Sequence, residues 1–97
     1  MALLNGTENI EQVEQIICDF FGVSLEEVYN KNRISAVALA RHFLLFILNA
    51  HYSCSQKKLS IRYERHIDVV RHSIRQTRYY VTHDKQYIGY YSLIWGK

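Results

Sequence analysis

Proline is absent from the 97 residues, and only four glycines occur, Gly6, Gly22, Gly89 and Gly96. Nothing therefore breaks a helix by removing a backbone donor, and a helix-rich fold is the first expectation. No Asn-Gly joins two alternating apolar runs, so the shortest hairpin signal is missing. Two cysteines, Cys18 and Cys54, make no disulfide framework. No secretory leader precedes the first helical pattern, and reduced thiols in a cytoplasmic compartment are expected. The most apolar run, from Ile34 to Ala50, is broken by Arg41 and His42. It falls short of the ~20 residues that a membrane span needs, so no membrane partner is expected.

A chain of this length builds a single core. We read residues 1–97 as a single all-α domain of about six helices, with 1–8 as a flexible lead-in. Charge is distributed unevenly. Residues 1–32 carry six acidic side chains against Lys31 alone, a net −5, whereas residues 33–97 carry eleven Lys and Arg against three acids, a net +8. A domain with one basic half meets a polyanion through that half, unless the charge is merely solvated surface.

From Asn9 the apolar residues Ile10, Val13, Ile16, Ile17 and Phe20 keep helical spacing, with Glu11, Glu14, Gln15 and Asp19 assigned to the far side. Asn9 and Gln12 have the offset of a capping box, and Gly22 supplies a stop. Ser24 and Glu27 repeat the box and open a short helix ending near Tyr29 or Asn30. After the basic link Lys31-Asn32-Arg33, a long helix apolar on most sides runs to about His51–Cys54, and such a helix must be buried by several neighbours.

The stretch from Ser55 to Tyr80 holds Lys57, Lys58, Arg62, Arg65, Arg71, Arg75 and Arg78 against Glu64 and Asp68. Its apolar spacing breaks at Tyr63-Glu64-Arg65-His66 and resumes with Ile67, Val70, Ile74, Thr77 and Val81. This predicts a central helix-turn-helix with a cationic stripe beside the core-facing line. Thr82 is the expected cap of a last helix, whose Tyr87, Tyr90, Tyr91 and Ile94 have inward spacing.

The order of these parts resembles the C-terminal DNA-binding domain of the bacterial replication initiator DnaA, including stand-alone copies found in phages and mobile elements. The resemblance covers nearly the whole chain. The opening I-x-x-V-x-x-I-I-C-D-F-F-G-V-S-L-E-E-V and the run from Ala38 to Phe46 match the family's first helices. Its signature, roughly F-x-R-D-H-[ST]-T-V-x-H-[AS], aligns with Tyr63 to Ser73, where Arg65, Val70, His72 and Ser73 agree. The central tetrad is replaced by His66, Ile67, Asp68 and Val69, positions at which the family reads bases.

The resemblance implies a Trp-repressor-like helical fold and binding of double-stranded DNA, in replication initiation or transcription regulation, at a site other than the initiator's own box. The backbone grip falls to Lys57, Lys58, Arg62 and Arg65, and the adjacent minor groove to Arg33. Base reading falls to the first turn of the second helix, where His66 donates to guanine or phosphate and Ile67 packs on a thymine methyl. Asp68 either accepts from cytosine N4 or caps the helix. Arg71 and Arg75 are candidates for guanine or phosphate. His72 reads as a satisfied core or interface histidine, and the C-terminal aromatics as core or lid.

The alternative to DNA binding is a protein-interaction domain that kept the fold and lost base reading, using the acidic first helix or the aromatic C-terminus. No enzyme is expected. The chain holds no G-x-x-x-x-G-K-[ST] phosphate loop. His51 and Cys54 have no second ligand pair nearby, so neither metal nor cofactor is expected.

Overall fold

The computed structural model describes residues 2–30 and 35–96 and places them in six helices. These are α1 (Ile10–Phe21), α2 (Leu25–Tyr29), α3 (Ser35–His51), α4 (Gln56–Arg62), α5 (Ile67–His83) and α6 (Lys85–Ile94). The all-α expectation holds, and local chemistry explains most boundaries. Asn9 and Gln12 form the capping box of α1, and Ser24 and Glu27 that of α2. At the far end of α1, Gly22 takes the left-handed conformation, and its N–H and that of Val23 reach back to the Asp19 and Cys18 carbonyls. The last carbonyls of the helix thereby find donors.

α3 is the spine. Val37, Ala40, Phe43, Leu44, Leu45, Phe46, Ile47 and Leu48 are all buried, and the helix is contacted by α1, α2, α4 and α5. Each large apolar side chain so buried contributes about 1.5–3 kcal/mol, which explains why a helix polar on no broad face sits at the centre. Phe43 is enclosed by the rings of Phe21, Tyr87 and Tyr90 at centroid distances of 5.5, 5.5 and 6.1 Å. α6 thus closes the core beside the end of α1, where Tyr90 also meets the Phe20 and Phe21 rings. Among the described residues no helix is long and apolar enough to cross a membrane.

Two expectations are corrected. Thr82 does not cap the last helix, because its hydroxyl bonds back to the Tyr79 carbonyl and α5 continues to His83. Asp84 caps instead, its carboxylate accepting from the Gln86 and Tyr87 N–H groups. The lead-in is packed rather than loose. Leu4 is buried, and Leu3 and Leu4 donate their N–H groups to the Leu93 and Ile94 carbonyls at 3.1 and 2.9 Å. Glu8 accepts from the Tyr52 hydroxyl at 2.6 Å. Burial opposes its ionisation, but that bond and the Asn5 and Gly6 N–H groups hold the carboxyl below its ordinary range.

Candidate nucleic-acid interface

α4 begins at Ser55, whose hydroxyl accepts from the Lys58 N–H at 3.0 Å, and it is anchored by buried Leu59. Lys57 and Lys58 stand exposed in its first turn. After Arg62 the chain reverses through Tyr63-Glu64-Arg65-His66. Tyr63 is buried, and Glu64 adopts the left-handed conformation at φ 52°. The Glu64 and Arg65 N–H groups bond to the Ile61 and Ser60 carbonyls, the same paired closure that ends α1. The Ser60 hydroxyl donates to the Arg65 carbonyl and ties the turn from its other side.

α5 buries Val70, Ser73, Ile74, Thr77 and Val81 against the core. At 100° per residue, the opposite line is Asp68, His72, Arg75 and Tyr79, flanked by Arg71 and Arg78 on one side and Val69 and Gln76 on the other. All eight are exposed. The cationic stripe beside the core line is therefore present on α5, and Lys57 and Lys58 add to it from α4. Lys57, Lys58, Arg75 and Arg78 have no ion-pair partner among the described residues.

The other two arginines of this stretch are engaged with the protein. The Arg62 guanidinium donates to both carboxylate oxygens of Glu14, at 3.0 and 2.8 Å, and the Tyr63 hydroxyl donates to the same carboxylate at 2.6 Å. Glu14 is only 1% exposed, although periodicity assigns it to the solvent side of α1. The hydrogen bond to Glu14 raises the Arg62 pKa above its ordinary value, and burial followed by the bond to Glu14 raises that of Tyr63. Glu14 falls four residues after Ile10 and three before Ile17, within the apolar stripe, and that placement is the signal that identifies it.

Arg65, assigned by sequence to the DNA backbone with Arg62, turns toward α2 instead. Its Nη2 donates to the Asn30 carbonyl at 2.9 Å and the Val28 carbonyl at 3.4 Å. Arg41 reaches the same two carbonyls from α3, at 2.9 and 3.1 Å. Two guanidiniums thus close the C-terminal end of α2, where unpaired carbonyls carry partial negative charge. Burial and the neighbouring Arg65 both depress the Arg41 pKa.

At the start of α5 the cap is His66, not Asp68. Its Nδ1 accepts from the Asp68 N–H at 3.1 Å. Asp68 instead receives Arg71 Nη1 at 2.8 Å. Ile67 is half-buried and Val69 is 53% exposed, so the more open apolar contact lies two residues beyond the one expected. Arg33 lies outside the described residues. His72 is exposed, which corrects its reading as a core histidine, because it sits on the outermost line of α5. The partly buried imidazole is that of His42, 2.5 Å from the Ser73 hydroxyl, and its pKa is lowered by burial and by Arg41 and His72.

The C-terminal aromatics form a lid. His51 stacks on Trp95 at 3.9 Å and 9°, and bonds to the Tyr91 hydroxyl at 2.6 Å. Cys18 and Cys54 are buried free thiols. Burial, with Glu14, Asp19 and Glu27 nearby, pushes the Cys18 thiol up to about 11.

The chain is 33% identical over 66 residues to the chromosomal replication initiator protein DnaA of Pseudothermotoga lettingae. The similarity is to a domain-sized part of DnaA. It covers 68% of this chain and 15% of the initiator, so the chain spans a small fraction of that relative's length. No family model matches the chain, and no solved structure matches it.

Proposed function

We propose that the chain binds double-stranded DNA, with α4 and α5 working as a helix-turn-helix whose second helix lies in the major groove. The observation that carries this reading is the set of exposed cations on these two helices. Lys57 and Lys58 occupy the first turn of α4, the end at which the helix dipole favours acids. Arg75 and Arg78 line α5 with no acidic partner among the described residues. Cations held where folding gains nothing from them suit phosphates supplied by a partner. The likeness to DnaA, a protein named for chromosomal replication initiation, supports the same reading.

Phosphate contacts come from Lys57, Lys58, Arg75 and Arg78. Arg62 and Arg65 serve this surface indirectly, by holding the turn against α1 and α2. The domain acts as a non-enzymatic cytoplasmic binding module, of the stand-alone kind carried by phages and mobile elements, in replication initiation or transcription regulation.

Four phosphate contacts give a slope of log affinity against log salt of roughly −3 to −4. Fluorescence anisotropy of a labelled duplex across a salt series measures it, and Arg75→Ala lowers the slope by about 1. A wild-type chain with no duplex affinity at low salt would sink the reading.

A second reading, a protein-interaction domain, draws on the adjacent backbones of Leu3 and Leu93, residues that are 47% and 56% exposed. A random-duplex selection that returns no consensus, together with a stable complex with a host initiator, would favour it.

A further inference from the structure

Asp68 is a carboxylate in the first turn of α5, the end that is to approach a polyanion, and there it opposes the phosphates. It is 69% exposed in its side chain, so no core requires it. The helix cap is already supplied by His66. Because His66 Nδ1 accepts the Asp68 N–H, it has no proton for the carboxylate oxygen 3.7 Å away. Among the described residues the one close cation is Arg71, at 2.8 Å and one turn along the helix. As an acid in the first turn it is favoured by the helix dipole by about 0.3–1 kcal/mol, and an exposed pair at this spacing adds a few tenths more, but neither requires the contact to be with Arg71.

The geometry points to a different role: we propose that Asp68 sets the base preference of this helix by holding the Arg71 guanidinium as a guanine reader. The inference rests on the duplex-binding reading above. With one Nη1 hydrogen directed at Asp68, the remaining Nη1 and Nη2 hydrogens form a fork, the donor pattern that guanine O6 and N7 accept in the major groove. Fixing that fork before binding removes rotamer freedom that a free arginine would lose on contact. Asp68 is a positioning residue, and its effect appears in sequence preference rather than in general affinity.

The test is a random-duplex selection on the full chain, followed by anisotropy on the selected duplex and on copies with single base pairs exchanged. Wild type should select a guanine and discriminate against adenine there by about tenfold. Asp68→Ala should cut that ratio below about twofold, while affinity for an arbitrary duplex holds or rises as a negative charge leaves the surface. Asp68→Glu should restore part of the discrimination, and Arg71→Ala should abolish it.

Undiminished discrimination in Asp68→Ala overturns the proposal. So does a selected cytosine that persists in Arg71→Ala, since Asp68 would then read the base directly. Salt-dependent binding without any selected guanine overturns this proposal alone, whereas absence of duplex binding overturns it together with the function it rests on.

Discussion

Arg62 and Arg75 are the same residue type in the same basic stretch, and they meet opposite surroundings. Arg62 lies at the end of α4, where the chain turns and Tyr63 is drawn into the core beside Glu14. Its guanidinium is fixed by a carboxylate that has almost no contact with solvent. Arg75 lies two turns into α5, on the line farthest from the core. A cation near a reversal of the chain is within reach of other elements, whereas one on the outer line of a long helix meets only solvent or a partner. Charge counting cannot separate the two cases.

The sharpest way to break this distinction is to remove each arginine in turn. Arg62→Ala leaves the buried Glu14 carboxylate with the neutral hydroxyls of Tyr63 and Tyr29 in place of a cation, and taking one member from a buried pair costs about 3 kcal/mol. Arg75→Ala should stay within about 0.5 kcal/mol of wild type. Urea denaturation measures both. Replacing both charges, Glu14→Gln with Arg62→Met, should recover much of the loss, because neither charge then needs desolvating and the amide oxygen still accepts from the Tyr63 hydroxyl. Equal effects from the two single alanine variants would erase the difference between inward and outward arginines.

Arg65→Ala should fall between them. Its guanidinium serves the Val28 and Asn30 carbonyls together with Arg41, so removal leaves those acceptors with one cation instead of two. A charged hydrogen bond of this kind is worth about 2 kcal/mol. Corrected for the fraction folded, duplex affinity should keep its salt slope, since this guanidinium faces α2. A slope reduced as much as in Arg75→Ala would place Arg65 on the DNA surface.

The parts that sequence revealed are those fixed by neighbours in the chain. Asn9 with Gln12, Ser24 with Glu27, and Gly22 each act within about four residues, so their types announce their roles. The core face of α5 follows from periodicity for the same reason. Glu14, Arg41 and Arg65 act across 48, 13 and 37 residues of chain. Their meaning depends on which helices pack together, which no local pattern states. His72 and His42 differ likewise, one on the outer line and the other drawn to Ser73 by the packing of α3 on α5. The packed lead-in rests on Leu4, a single apolar residue without periodic company.

The smallest effect concerns the two turns that close α1 and α4. Both place their pivot residue in the left-handed region, Gly22 at φ 69° and Glu64 at φ 52°. Both satisfy the preceding carbonyls by the same pair of hydrogen bonds. For a residue with a Cβ this conformation costs about 1–2 kcal/mol, and glycine avoids that cost while giving up some unfolded-state entropy. Glu64→Gly should therefore stabilise the chain by up to about 1 kcal/mol, read from the urea midpoint. The substitution also takes a carboxylate from the turn between α4 and α5, so duplex affinity should rise at low salt and converge on wild type as salt screens the charge. A stabilised variant with unaltered low-salt affinity would show that the turn holds the two helices together without itself facing the DNA.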